Sequence, residues 1–307
     1  MYGLIDISTW EDDRMASYGG YTRKCGKISP DGTHYMVKFE KKHTFKSFPL
    51  NLFQQHINSE IIRMLGFSSQ ETFIATHGDY LVLCCKDFVP EGSKLVNMDV
   101  FLRTLYNSYE LTEITNLGQF EHVMDTHHIL KPYKESLTKS FWDMVVIDMF
   151  LTNFSRSTSD YGYLVSEHEV TQAPLWDTRT DTHDMFLPIR TDEKILTYEE
   201  LLYGGKYKPF YASLARILPV FERNIGEVYK YMDKQEILSK GQIQLLKDIL
   251  RKSLTNLQLS YKLQQVASTM SIENMNLTEQ AYANLQSIAT GQKTVDEVVE
   301  EIKRRYF

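Results

Sequence analysis

The stretch FWDMVVIDMFLTNFSRSTSDYGYL, residues 141–164, carries the transition on which the fold depends. It begins inside a helical pattern that starts near residue 97, and it leads into a strand-and-turn segment at about residues 161–177. Upstream, the chain has alternating apolar patterns that are typical of strands, around one helical segment, NLFQQHINSEIIRMLGF. Strands first and helices later predict an α+β protein with two lobes.

Three parts follow from these patterns. We predict an N-terminal β-rich lobe at residues 1–96, a mainly helical C-terminal lobe at 97–263 and a small helical appendage at 264–307. In the first lobe, Val37 and Phe39 should share one face of a strand, and Gly66 should end the helix that follows. In the appendage, Thr294 and Glu297 form the pattern of a capping box.

The composition is that of an ordinary globular protein. Of the 307 residues, 42% are hydrophobic and 24% are charged, which excludes disorder of the whole chain. The formal net charge of −6 argues against a nucleic-acid partner that covers most of the surface.

Cysteine usage and hydropathy bear on the compartment. Cys25, Cys84 and Cys85 are odd in number and have no framework spacing, which favours a reducing environment. Cys84 and Cys85 are neighbours on a predicted strand, so their side chains should face opposite sides. The N-terminus lacks the pattern of a signal peptide, and no stretch approaches the roughly 20 apolar residues of a membrane helix. We therefore expect a soluble, cytoplasmic protein without a membrane partner.

A group of residues in the first lobe has the order of a phosphate-binding site. Such a site needs a loop over the phosphates, a lysine that contacts them and a carboxylate that holds the lysine. Gly19 and Gly20 open a turn between strands, where missing side chains allow close approach to phosphate. Lys38 lies on the following strand, and Glu60 lies on the next helix. Each signal alone is common in surface residues, but their order together indicates a site.

This order resembles the HipA family of Ser/Thr kinases, especially its CtkA-like branch. The likeness covers about residues 1–260 and rests on the segments YGGYTRK, THYMVKF, NSEIIRMLGF, QET, LVLCCKDF, FWDMVVIDMFLTNF, YGYLV and APLWD. It implies a protein-kinase-like fold with an ATP cleft between two lobes. In that cleft Lys38 would contact the phosphates, and Glu60 would be its partner.

The resemblance also implies a hinge and a metal ligand. The hinge that reads adenine would be formed by Cys85, Lys86 and Asp87 in CCKDF. Asp177, in APLWD, matches the metal-binding aspartate of the family.

The segment after NF departs from the family pattern. In the CtkA-like branch it usually begins with the catalytic Asp, followed by Arg, His and later an Asn that binds metal. This chain has Ser155, Ser157 and Asp160 where Asp, His and Asn are expected, and the TRTD after Asp177 lacks the usual small residues. Asp160 and Asp177 still offer the hard oxygen ligands that Mg²⁺ prefers.

Ser155 leaves three interpretations of the function open. It has no carboxylate to orient the nucleophile, and general-base help is worth roughly 10²–10⁴ in rate, which favours a pseudokinase that binds ATP. Phosphoryl transfer depends mainly on positioning and charge, so an active Ser/Thr protein kinase with a protein substrate is the alternative. The third interpretation is a kinase scaffold kept as a stable platform with an empty cleft.

The C-terminal segment carries a second resemblance. ASTMSIENMNLTEQ contains Thr269, Glu273 and Asn274 in the pattern Ser/Thr-x-x-x-Glu-Gly/Asn. With GQKTVDEVVEEIKRRY behind it, residues 264–307 resemble the VbhA family of antitoxins, which silence Fic-domain adenylyltransferases. The resemblance implies that Glu273 pairs with an arginine of a Fic site and excludes the terminal phosphate of its nucleotide. Alternatively, this segment packs on the large lobe for stability.

Two other polar segments lack a metal-binding spacing. They are EHVMDTHH, with His122, His127 and His128, and TDTHD, with Asp181, His183 and Asp184. A helical metal pair needs histidines four residues apart, which neither segment supplies.

Overall fold

The computed structural model of the chain describes residues 4–16, 18, 23–39, 50–106, 114–180, 186–272 and 278–306. For residues 50, 51, 186, 279, 289, 305 and 306, the description covers the backbone alone. Among these residues, no helix combines the length and the apolar character needed to cross a bilayer.

The N-terminal lobe is an antiparallel sheet with one helix packed against it. Its elements are β1 (Glu11–Asp12), β2 (Lys24–Ile28), β3 (His34–Phe39), α1 (Leu50–Met64), β4 (Thr72–His77) and β5 (Tyr80–Lys86). The strand order is β1-β2-β3-β5-β4, so β3 lies at the centre. In this register Lys38 pairs with Lys24 of β2 and with Leu83 of β5.

The two faces of this sheet have different surroundings. On one face, Val37, Phe39 and Cys84 belong to a small apolar cluster of their own. On the other face, Cys85 joins the main core together with residues of α1. Lys38 alternates with Val37 and Phe39 and therefore points to this second face. The alternation along β3 and the opposite orientation of the two adjacent cysteines are both confirmed.

Helix α1 ends where the sequence predicts. Gly66 follows the last helical turn with a φ of 82°, in the left-handed region that suits glycine. Its N–H donates to the carbonyl of Arg63 at 2.9 Å, and the N–H of Phe67 donates to Ile62 at 3.1 Å. These two bonds satisfy carbonyls of the last turn, so the helix ends in a stable cap.

The C-terminal lobe is mainly helical and carries two small sheets. Its helices are α2 (Met98–Tyr106), α3 (Leu117–Thr126), α4 (Lys134–Leu151), α5 (Tyr198–Tyr203), α6 (Lys208–Asp233) and α7 (Lys240–Ile272). One sheet contains β6 (Lys94–Asn97), β8 (Gly162–Val165) and β9 (Val170–Gln172), and the other β7 (Thr115–Asn116), β10 (Phe186–Arg190) and β11 (Ile195–Thr197). Because β6 pairs with β8, the strand at the predicted boundary of residues 96 and 97 belongs to this lobe.

Helix α4 is the centre of the large lobe. Most of its residues from Phe141 to Leu151 are buried, and it packs against α6 and α7. Phe150 of α4 stacks on Phe221 of α6, with ring centroids 4.3 Å apart. A helix that is covered on several sides needs no single apolar stripe, which is why the sequence from Phe141 to Leu151 is mostly apolar. This packing fixes the position of the loop that follows α4.

The C-terminal segment continues the large lobe. Helix α7 runs without a break through the predicted boundary at residues 263 and 264, and it is followed by α8 (Glu279–Ala289) and α9 (Val295–Tyr306). Tyr282 and Leu285 of α8 pack against the main core. The predicted capping box is confirmed, since Glu297 N donates to Thr294 Oγ1 at 3.2 Å and Thr294 N donates to Glu297 Oε2 at 2.7 Å.

Candidate active site

Lys38 is buried where the two lobes meet. The residue is only 4% exposed, and it is the second-to-last residue of β3. Its Nζ donates to Oδ1 of Asp177 at 2.9 Å and to Oε1 of Gln55, on α1, at 3.0 Å. A buried ammonium needs such partners, because an unpaired charge costs several kcal/mol in an apolar interior. The ion pair connects the small sheet to the large lobe and brings together two residues that the sequence assigned to one site.

The structure corrects the partner that was predicted for Lys38. Glu60 forms an ion pair with Arg63 on its own helix, whereas Lys38 bonds Gln55. Gln55 and Glu60 are five positions apart, which turns their side chains by about 140° around a helix. Because α1 presents the side of Gln55 to β3, Glu60 faces away from Lys38.

Asp177 lies in the loop that follows β9. Its φ of 50° is left-handed, a conformation that Asp tolerates better than most residues. Its Oδ2 accepts a hydrogen bond from the guanidinium of Arg179 at 3.2 Å. Burial alone would raise the pKa of the Asp177 carboxyl, but the charges of Lys38 and Arg179 outweigh burial and lower this pKa to about 2. The carboxylate is therefore ionised and has a cation on each oxygen.

Ser155 lies in the loop after α4, beside the segment of Asp177. The link is Asn153, which is buried and whose Nδ2 donates to Oδ1 of Asp148 at 2.8 Å. The Oδ1 of Asn153 accepts from Ser155 Oγ and from the backbone N of Arg179, each at 3.4 Å. Ser155 itself is exposed. Asn153 thus connects Ser155, the predicted position of the missing base, to the backbone two residues after Asp177.

Arg156 holds this loop from behind, a role that sequence reasoning missed. The residue is buried, and its guanidinium binds both carboxylate oxygens of Asp148 on α4. Its NH1 also donates to the carbonyls of Asp160 at 2.8 Å and Trp176 at 3.2 Å. One side chain therefore fixes three segments that approach the site. The resemblance marked an Arg at this position, but nothing in the local pattern revealed its partners.

The carboxylates expected to bind Mg²⁺ are engaged with protein groups. Oδ2 of Asp160 accepts hydrogen bonds from the N of Ser157 at 3.0 Å and from its Oγ at 2.8 Å. Both oxygens of Asp177 are bound by cations, Lys38 and Arg179. Within the described ranges, no group of three or more His, Cys, Asp or Glu side chains could hold a metal ion. Mg²⁺ is usually held by one or two carboxylates together with waters and substrate phosphates, and Asp160 and Asp177 are the residues that would supply these carboxylates.

The predicted hinge residues lie where β5 ends. The thiol of Cys85 is buried, and burial raises its pKa to about 11. The backbone N–H of Lys86 donates to the carbonyl of Glu71, and that of Asp87 donates to the carbonyl of His34, both at 2.9 Å. The segment thus continues the sheet toward the large lobe. Its contact with adenine stays a prediction.

Lys24 is a further cation beside the site that sequence analysis missed. It is the cross-strand partner of Lys38. Directly opposed residues of antiparallel strands have their side chains on the same face. Burial lowers the pKa of Lys24, and the charge of Lys38 lowers it further. The sequence does not reveal Lys24 as a site residue, because its position opposite Lys38 depends on the register of β2 and β3.

Several predicted residues lie outside the described ranges. They are Gly19 and Gly20 of the phosphate loop, Glu273 and Asn274 of the C-terminal motif, and Asp181, His183 and Asp184. Thr269 is described: it is exposed on α7, and its Oγ1 donates to the carbonyl of Gln265 at 3.0 Å.

Comparison with known proteins supports the kinase resemblance. No family model matches the chain. The chain is 25% identical to the serine/threonine-protein kinase CtkA of Helicobacter pylori, over 98% of this chain and 99% of that protein. The crystal structure of the Helicobacter pylori proinflammatory kinase CtkA is similar with a TM-score of 0.74 and 23% identity, covering 84% of this chain and 97% of that one.

A second solved structure is more distant. HipA of Shewanella oneidensis, in its toxin–antitoxin complex with HipB and operator DNA, is similar with a TM-score of 0.56 and 13% identity, covering 83% of this chain and 67% of that one. The fold is thus the mixed helix-and-sheet, kinase-like fold of CtkA and HipA, as the sequence predicts. The alignment with CtkA spans 98% of this chain and therefore includes most of residues 264–307.

Proposed function

We propose that this chain is a kinase-fold protein that binds ATP between its lobes and does not transfer the γ-phosphate efficiently. The observation that carries the proposal is Ser155, whose Oγ donates to Asn153 Oδ1 in the loop beside Asp177. A carboxylate would be expected at this position from the resemblance to the CtkA-like branch. Lys38, paired with Asp177 at the junction of the lobes, retains the cation that would contact phosphate.

The chemistry of Ser155 supports binding without efficient transfer. A serine hydroxyl is a poor base, so it neither takes a proton from a substrate hydroxyl nor directs that hydroxyl as a carboxylate does. Loss of a positioned general base typically costs 10²–10⁴ in rate. Binding of the triphosphate depends on cations and backbone groups, and these are separate from the group that orients the nucleophile.

Thermal unfolding with and without ATP tests this proposal. A ligand that binds the folded state alone raises the melting temperature, and at a concentration of about 100 Kd it adds about 2.7 kcal/mol of stability. We expect ATP to raise the melting temperature of the native chain but not that of Lys38→Ala. Lys262→Ala, which changes an exposed lysine of α7, is the matched control and should respond like the native chain. Absence of any shift in the native chain would support the empty platform.

The retained pair of Lys38 and Asp177 also favours a second candidate, an active Ser/Thr protein kinase. Its supporting relative, CtkA, is named a serine/threonine-protein kinase. Incubation with ATP and candidate protein substrates distinguishes the two. Release of ADP together with a phosphorylated protein, both lost in Lys38→Ala, would establish the kinase and refute the proposal of inefficient transfer.

The exposed apolar side chains of α9 favour a third candidate, inhibition of a Fic-domain adenylyltransferase. Val295, Val299 and Ile302 recur on one face of this helix and are exposed. In this proposal Glu273 enters the Fic site, and the face of α9 contacts the Fic protein. Glu273→Gly should release the activity of a Fic partner that the native chain inhibits, while Glu236→Gly, in an exposed turn, should not. Equal Fic activity with and without the native chain would refute this candidate.

A further inference from the structure

The loop of Asp177 places a guanidinium where a kinase-like site would use a metal ion. Arg179 reaches back across two residues, and its NH2 lies 3.2 Å from Oδ2 of Asp177. Lys38 occupies the other oxygen at 2.9 Å. A divalent ion at Asp177 would have to displace one of these cations or share a carboxylate oxygen with it. The charge that a metal would bring to this carboxylate is therefore already supplied by the chain.

Arg179 can reach both Asp177 and a ligand. Its side chain is 44% exposed, whereas that of Lys38 is 5% exposed. One guanidinium nitrogen binds the carboxylate, and a guanidinium has five N–H donors in all. Its planar fork matches the geometry of phosphate oxygens, often through two parallel hydrogen bonds. The backbone N of Arg179 is held by Asn153 Oδ1, so the start of this side chain is fixed beside Ser155.

The surroundings of Arg179 are rich in positive charge. Lys24 lies across from Lys38 on the same face of the sheet. The pKa of Lys24 is lowered first by burial and then by Lys38, and it also responds to the charges of Asp177, Arg179 and Asp160. All five groups therefore belong to one electrostatic cluster, with three cations and two carboxylates. Such a cluster favours a polyanion.

We propose that Arg179 takes the place of the divalent metal ion, so that the cleft binds a nucleoside triphosphate through Lys24, Lys38 and Arg179 without Mg²⁺. This inference rests on the proposed nucleotide site and adds how that site neutralises the phosphates. A guanidinium neutralises charge but does not gather phosphate oxygens in an octahedral shell. Binding without the metal agrees with a site that keeps its nucleotide intact.

Titration of ATP into the full chain, in EDTA and in excess Mg²⁺, tests the inference. We expect the two dissociation constants of the native chain to agree within about threefold. Arg179→Gln should weaken ATP binding in EDTA by about tenfold or more, since it removes a charged hydrogen bond to phosphate. Adding Mg²⁺ should then restore part of the affinity, because Oδ2 of Asp177 has lost its cation. Arg179→Lys keeps the charge but lacks the planar fork, so its ATP affinity in EDTA should lie between those of the native chain and of Arg179→Gln.

Two controls separate phosphate contacts from general damage. Adenosine lacks phosphates, so Arg179→Gln should not change its affinity. Arg223→Gln replaces an exposed arginine of α6 and should leave ATP binding as in the native chain.

Three outcomes would contradict the inference. ATP binding by the native chain only with Mg²⁺ would overturn the inference and leave the proposed nucleotide site intact. Unchanged or tighter ATP binding by Arg179→Gln in EDTA would also overturn it. Unchanged binding would mean that Arg179 contributes nothing to ATP affinity, and tighter binding would mean that Arg179 hinders ATP. Binding in neither buffer would overturn the proposed nucleotide site, and the inference with it.

Discussion

Asp177 is the residue on which the charges of both lobes converge. Lys38 reaches it from the small sheet, and Arg179 reaches it from its own loop. Its folded-state pKa of about 2 lies below the ordinary value of 3.8. A carboxyl whose pKa is depressed by folding stabilises the folded state above its unfolded pKa, and this contribution is lost as the pH falls through the folded pKa. The ion pairs of Asp177 should therefore stabilise the protein fully above about pH 4 and progressively less toward pH 2.

Replacement of Asp177 by Asn tests this assignment. We expect Asp177→Asn to lower the free energy of unfolding by about 2 kcal/mol near neutral pH, as the pKa shift implies. The difference from the native chain should shrink as the pH falls from about 4 toward 2, because the native carboxyl becomes protonated. Urea unfolding at a series of pH values measures it, with Asp125→Asn as the control for an exposed ion pair. A difference that does not change with pH would contradict the assignment.

Residue-scale features were the hardest to predict from the sequence. The position of Ser155 follows from the family resemblance, and the alternation around Lys38 follows from a local pattern. The choice of Gln55 over Glu60 as partner of Lys38 does not, because it depends on how α1 is rotated against the sheet. Lys24 was missed because cross-strand neighbours depend on register.

At the scale of elements, Arg156 joins α4 to the loops that form the site. It binds Asp148 of α4 and the carbonyls of Asp160 and Trp176. The pair of Arg156 and Asp148 is buried, so each charge is compensated chiefly by the other. Removing one member of such a pair leaves an uncompensated buried charge.

Arg156→Met should therefore lower the free energy of unfolding by about 3–5 kcal/mol, as measured by urea unfolding. The double variant Arg156→Met/Asp148→Leu should cost less than the sum of the two single variants, because it leaves no unpaired charge. Arg251→Met, at an exposed ion pair of α7, is the control and should cost less than about 1 kcal/mol. Strict additivity of the two buried variants would refute the proposed compensation.

The contact between β6 and β8 depends on a missing side chain. A Cβ added at Gly162 would lie 2.4 Å from the carbonyl oxygen of Val96 and 2.6 Å from the Cα of Asn97. Since these are backbone atoms, the two strands would have to separate. We expect Gly162→Ala to cost about 1–3 kcal/mol of stability.

A second glycine provides the matched control for Gly162. A Cβ at Gly226, inside α6, meets nothing within 4 Å. Gly226→Ala should therefore stabilise the chain by up to about 1 kcal/mol, through the higher helix propensity of Ala. Thermal unfolding of both variants measures the contrast. A stabilising effect at Gly162 would show that β6 and β8 do not approach each other this closely.

Elements were easier to predict than their boundaries. Gly66 and the capping box of Thr294 and Glu297 act through hydrogen bonds within a few residues, so local sequence reveals them. The end of α7 was not found, because no glycine or proline interrupts its helical pattern near residue 263. The pairing of β6 with β8 is a contact between distant segments, so the boundary at residues 96 and 97 was placed inside a strand.

At the scale of the whole molecule, the site lies between two lobes that polar contacts join near Lys38. The described links include the ion pair of Lys38 with Asp177 and the bonds from Asn58 to the carbonyl of Thr178 at 3.3 Å and to Thr180 Oγ1 at 3.2 Å. A nucleotide that contacts both lobes would add to these links and stabilise their arrangement. The fold could be inferred from the order of motifs, whereas the contacts of Lys38 and Asp177 required side-chain positions.

The central claim is that the cleft keeps ATP intact because Ser155 replaces the group that would direct the attacking oxygen. Equilibrium dialysis of the full chain against ATP labelled on its γ-phosphate, followed by identification of the bound nucleotide, tests it most directly. The account predicts stoichiometric binding of unhydrolysed ATP with no label on protein, and loss of binding in Lys38→Ala. Recovery of ADP with labelled protein, or no bound nucleotide at all, would contradict it.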